Sequence, residues 1–164
     1  MSTTTKAGQY QDTKTDVKLV LSALWIAMLI VFAYGDIFGL LRADVLRAAL
    51  DGKMAATGIT VDQMFLVFTD VYILIPTLMV FLSLVLRPRV NRIVNIVVAL
   101  VYAVSIIASC IGEEWIYYFL GSAVEVVLLV AIVRTAWTWP KETPTTSTTG
   151  RGATPHNVHH VAQS

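Results

Sequence analysis

Hydrophobic positions run unbroken along four stretches of this chain, each closed off by a short polar or charged segment. Crossing a bilayer as a helix takes about 20 predominantly apolar residues. The pattern therefore predicts four spans, at about Val17–Leu41, Val61–Leu86, Ile93–Ile111 and Glu113–Trp137. The predicted fold is all-α, an antiparallel four-helix bundle integral to the membrane. Residues 1–16 and 141–164 are polar, rich in Thr, Ser and Gly, and are expected to form disordered tails.

Between the first two spans, Val45, Leu46, Ala49 and Leu50 share one helical face, with Asp44 able to cap and Gly52 to stop the helix. This predicts a short amphipathic helix in the interface or in solvent. Thr60 and Gln63 have the spacing of a capping box at the start of the second span. Arg87–Arg92 reads as a tight basic turn. Pro140, after Trp137 and Trp139, is expected to end the last span.

Polar residues within the spans carry the candidate chemistry, because an ionisable side chain in hydrocarbon is costly and marks a functional site by default. Glu125 lies about 11 residues into the fourth span, roughly 16 Å deep at the helical rise per residue. Its stripe is Glu114, Tyr118, Gly121 and Glu125. Asp36 shares a stripe with Ser22, Trp25, Leu29 and Phe32, and is either a ligand in a cavity or a cap where the helix leaves the membrane. Pro76 cannot donate to the Tyr72 carbonyl and predicts a kink. With Asp70 close by in sequence, that freed carbonyl is a candidate cation or proton site; the alternative is a packing kink with Asp70 bonded internally.

The turn between the last two spans is so short that they must form a hairpin. Setting Gly112 opposite Trp115 pairs Ser109 with Tyr118, Ser105 with Ser122, and Tyr102 with Glu125. Tyr102 is thus the expected hydrogen-bond partner of Glu125. Ala99/Ala103 and Ser105/Ser109 permit close helix approach.

Composition agrees with a lipid environment: 56% of the 164 residues are hydrophobic and 14% charged, with a mean hydropathy of +0.69. A net charge of +1, with basic residues scattered in small groups, gives no nucleic-acid-binding face. The single cysteine, Cys110, rules out an internal disulfide or a redox pair. His156, His159 and His160 all lie in the C-terminal tail, so no span offers a haem ligand, and neither cofactor nor metal is expected. A cleaved signal peptide is not expected, since the first apolar run is too long.

Of the 12 basic residues, Arg42, Arg47 and Lys53 fall on one side of a four-span topology and the rest on the other. The positive-inside rule then predicts that both termini are cytoplasmic. Asp36, Asp70, Glu113, Glu114 and Glu125 lie in the outer half, with no basic residue expected at matching depth. Glu113 and Glu114 suit a helix N-terminus at the aqueous edge and read as mostly structural.

KLVLSALWIAMLIVFAYGDIFGLLR, IPTLMVFLSLVLRPRVNRIVNI and EEWIYYFLGSAVEVVLL resemble an uncharacterised group of small bacterial four-span membrane proteins, a domain of unknown function. The resemblance covers about Val17–Pro140, with YGDIFGLL its most specific part. It implies a bacterial inner-membrane protein and assigns no activity.

Three function classes are open. The first is an outward-facing acidic cavity, formed by Glu125, Asp70, Asp36, Tyr102 and Glu114, that binds or transports a cation, a proton or an organic amine. The second is a non-catalytic accessory or scaffold subunit of a membrane complex, whose polar stripes lock its helices together; a homo-oligomer, by contrast, counts against it. The third is an enzyme acting on lipid. No catalytic triad, metal-ligand spacing or nucleotide loop favours the third.

Overall fold

In a computed structural model, residues 15–139 are described, and they form five helices. These are α1 (Val17–Leu40), α2 (Ala43–Leu50), α3 (Gln63–Val85), α4 (Pro88–Ser109) and α5 (Ile116–Trp137). No strand occurs among the described residues; a single bridge joins Lys53 and Thr60. The expectations for both tails, for Pro140 and for the histidines fall outside the described residues. Helices α1, α3, α4 and α5 are each long and apolar enough to cross a membrane. By that length and composition this is a membrane protein.

Helix boundaries follow local chemistry. Asp16 caps α1 by accepting from the Lys18 N–H at 2.9 Å. The cap of α3 is Asp62, which accepts from the Phe65 N–H at 2.8 Å, and not Thr60. Thr60 is instead held in the bridge to Lys53, beside two glycines with positive φ, Gly52 at 67° and Gly58 at 68°. The basic segment 87–92 is not a turn. Helix α4 begins at Pro88, because a proline at the first helical position gives up only an N–H that has no helical partner anyway.

Drawing Asn91 into α4 brings its amide to the end of α3, where Nδ2 donates to the Ser83 carbonyl at 2.6 Å. Lys18 Nζ donates to the Leu84 carbonyl at 3.1 Å. Both carbonyls belong to the last turn of α3, which lacks helical donors and carries negative dipole charge.

Helix α1 packs against α3 and α5, and α5 against α4, while α3 and α4 approach each other less closely. Most of the core lies toward one end, with Ile106 of α4 extending it to the wall of a cavity. Leu21, Trp25 and Met28 from the first half of α1 meet Met79 of α3, Ala99 and Tyr102 of α4, and Leu129, Ile132 and Ala136 of α5. Inside it runs a polar chain. Trp25 Nε1 donates to Asn95 Oδ1 at 2.7 Å, Ser83 Oγ to the same oxygen at 3.2 Å, and Asn95 Nδ2 to Asn91 Oδ1 at 2.6 Å. Ser83, Asn91 and Asn95 are fully buried. This chain ties α1, α3 and α4 together beside the short connection between α3 and α4.

A half-buried ion cluster lies at the opposite end. Arg42 pairs with Asp44 at 2.7 Å and with Glu113 at 2.9 Å, its guanidinium lying 4.7 Å from the Trp115 ring centre. Hydrogen bonding to Asp44 first, then to Tyr117, and the charge of Glu113 hold the Arg42 proton more tightly than usual. Glu113 also accepts from the N–H groups of Glu114 and Trp115, at the entry to α5. The expectation of outer carboxylates without basic partners therefore fails for Glu113. The corner after α1 folds onto the α4–α5 turn, a contact distant in sequence.

Candidate functional site

The end of the molecule that the core leaves unfilled holds a cavity of about 480 Å³. Its walls come from the C-terminal half of α1, the N-terminal half of α3, the C-terminal half of α4 and the N-terminal half of α5, with Met54 reaching in from the α2–α3 connection. Two carboxylates face it, Glu125 from α5 and Asp36 from α1, and among the described residues no Lys, Arg or His lines it.

Glu125 is 7% exposed. No hydrogen bond or ion pair to another described residue holds its carboxyl, although every fully buried side-chain polar atom among the described residues has a partner. Its oxygens therefore open onto the cavity. Glu125 is the tenth residue of α5, so it lies roughly 14 Å along the helix from its start. Asp36 is exposed and lies four residues from the end of α1.

The floor is a row of rings. Trp25 meets Tyr102 edge-on at 6.4 Å, Tyr102 lies 4.6 Å from Tyr72, and Tyr72 lies 6.1 Å from Phe32. Trp25 and Tyr102 belong to the core, and Tyr72 and Phe32 to the cavity wall. This row divides the dry half of the molecule from the hollow one.

The expected Tyr102–Glu125 bond is not formed. Tyr102 donates its hydroxyl hydrogen to the Tyr72 carbonyl, the acceptor that Pro76 leaves without a helical partner. The hydroxyl of Tyr72 in turn bonds Ser105 Oγ at 2.7 Å. The hairpin register holds nearer the turn, where the Tyr118 hydroxyl donates to Ser109 Oγ at 2.8 Å. Ser105 and Ser122 line the same cavity.

Two other predicted site residues are placed elsewhere. Asp70 is exposed and does not line the cavity. Two residues along a helix turn the side chain by about 200°, so with Tyr72 inward Asp70 points away. Glu114 is exposed and precedes the N-cap of α5, hence is not part of the Glu125 stripe. Asp36 and Glu125 are brought together; Tyr102 supports the wall from behind. The sequence reading missed Phe65, Thr69 and Tyr72, which line the cavity with the helical spacing that continues to Pro76. That periodicity was the available signal.

A family model described as a family of unknown function, DUF6326, matches residues 9–146. The chain belongs to this family. Membership covers all five helices and carries no activity with it. No curated protein and no solved structure matches the chain. The cavity's own chemistry is thus the basis for a functional reading of this DUF6326 member.

Proposed function

We propose that this is a bacterial inner-membrane protein with both termini in the cytoplasm, whose acidic cavity opens to the outside and binds a positively charged ligand. The orientation rests on the excess of Lys and Arg at the end of the molecule away from the cavity. The binding reading rests on one observation above others. Glu125, within a membrane-capable helix, is nine-tenths buried and has no partner among the described residues, and its carboxyl faces a hollow that these residues line with a second acid and no base. A buried carboxylate must be neutralised by a proton or a cation, since isolated charge in a poor dielectric is strongly disfavoured. Ligand binding and proton release are coupled in such a site.

The test is binding of cations to the purified protein, followed by the shift in thermal unfolding, in parallel with Glu125→Gln. A cation-dependent stabilisation that the variant lacks supports the reading. Equal stabilisation of both proteins, or none of either, overturns it. In that event the buried polar chain around Asn95 would favour a scaffold role, and a stoichiometric partner in mild detergent extracts would be the observation to seek.

A further inference from the structure

The shape and lining of the cavity narrow the ligand further. We infer that it is an organic ammonium ion with an apolar body about the size of an aromatic ring, bound with its charged group at Glu125 and its body toward the mouth. This rests on the acidic-cavity reading and specifies its ligand class.

Volume is the first ground. At about 480 Å³ the hollow falls in the range of pockets for organic molecules. A bare metal ion needs several converging donors, six or more oxygens in the case of calcium. Among the described residues no group of three or more His, Cys, Asp or Glu side chains could hold one.

The walls are the second ground. Phe32, Phe65, Tyr72, Tyr117 and Tyr118 all line the cavity. Ring faces attract cations through their quadrupole, above all weakly hydrated organic ones. Met54 adds a side chain that adapts to irregular apolar shapes. Several of the polar wall groups are committed to one another or to the backbone. Tyr72 and Tyr118 bond Ser105 and Ser109, and the hydroxyl of each serine donates within α4, to the carbonyl three residues before it. That leaves an apolar, aromatic enclosure around an uncommitted carboxylate.

Depth gives the orientation. Tyr72 and Glu125 lie at mid-helix, whereas Met54, Phe65 and Tyr117 lie near helix ends or in the α2–α3 connection. A ligand that enters from the open end reaches the anchoring acid with its charged group leading, and its body then lies among the rings.

The experiment is titration calorimetry of the purified full chain with benzyltrimethylammonium, tetramethylammonium, sodium, magnesium and benzyl alcohol. Benzyltrimethylammonium is expected to bind about tenfold or more tightly than tetramethylammonium, the difference a ring against aromatic walls supplies. Sodium, magnesium and benzyl alcohol are expected not to displace it. Glu125→Gln should abolish binding, and Phe65→Leu, which keeps the site apolar, should weaken it severalfold. These comparisons among probes use the native chain, so they stand even if a variant fails to fold. Sodium or magnesium binding in preference to both organic ions would overturn this inference and leave the acidic-cavity reading intact. Absence of binding by any cation would overturn both. Benzyl alcohol competing on equal terms would show an apolar pocket indifferent to charge, also against both.

Discussion

Replacing Tyr102 with Phe deletes one hydroxyl, and with it the donor to the Tyr72 carbonyl. In an ordinary helix that carbonyl would accept from the backbone N–H four residues on, but position 76 is proline. The carbonyl is thus left with no donor beside a side chain that is 2% exposed. Orphaning a buried acceptor costs about 1–3 kcal/mol, whereas interhelical hydrogen bonds in membranes average about 0.6 kcal/mol. A loss of about 1–2 kcal/mol is expected for Tyr102→Phe, toward the low end if water from the cavity reaches the carbonyl. The cause can be isolated with Pro76→Ala, which restores an N–H aimed at the same oxygen. A carbonyl has two lone pairs, so in that background Tyr102→Phe should cost less than half as much. The assay is a double-mutant cycle by denaturant unfolding in mixed micelles. Trp25 fluorescence is a natural reporter, because its ring meets Tyr102 at 6.4 Å. Equal cost of Tyr102→Phe in the two backgrounds would refute the pairing of proline and tyrosine as one structural unit.

Asn95→Leu is expected to destabilise by about 1–3 kcal/mol, since it strands the buried Trp25 N–H and the Asn91 amide oxygen; unchanged unfolding in micelles would argue against the polar chain as a stabilising element. Gly58→Ala should cost about 1 kcal/mol in the same assay, because φ is +68° there while nothing lies within 4 Å of an added Cβ, so the strain is purely of the backbone. The Arg42 guanidinium, by hydrogen bonding, holds the Asp44 carboxyl below its usual value of 3.8. Its contribution is therefore complete at neutral pH, begins to fall only as pH drops below 3.8 and is lost through the lowered value. Hydrogen-exchange protection at the α1–α2 corner, relative to the intrinsic rate at each pH, should fall in that acid window, and less so at high salt, since Asp44 is exposed.

The four long helices are legible in the sequence because lipid demands it. An apolar run of about 20 residues satisfies its backbone only as a helix or within a closed barrel. What sits at each terminus is less legible, since two local solutions of similar energy compete. Thr60 and Asp62 can each cap α3, and the bridge to Lys53 takes Thr60 out of the contest. Pro88 could close a turn or open a helix, and burial of Asn91 against the Ser83 carbonyl decides for the helix.

For the cavity, period and hairpin register bring Glu125, Tyr118 and Ser109 to the right neighbourhood. They do not place Tyr102, because a freed carbonyl on another helix competes for its hydroxyl. Proximity in sequence suggests joining Asp70 to Tyr72, but helical rotation sets them on opposite faces. The Arg42–Glu113 pair joins two loops 71 residues apart and has no local signature at all.

The measurement that bears most directly on the acidic cavity is infrared difference spectroscopy of the Glu125 carboxyl in the purified protein. The carboxyl band is assigned by its absence in Glu125→Gln, and benzyltrimethylammonium, sodium and magnesium are added in turn. A Glu125 band that shifts or disappears when a cation is added is the expected result, because the carboxyl exchanges its proton, or its water, for the ligand. A Glu125 band indifferent to every cation would contradict the account and leave the residue as a buried group with no ligand to hold.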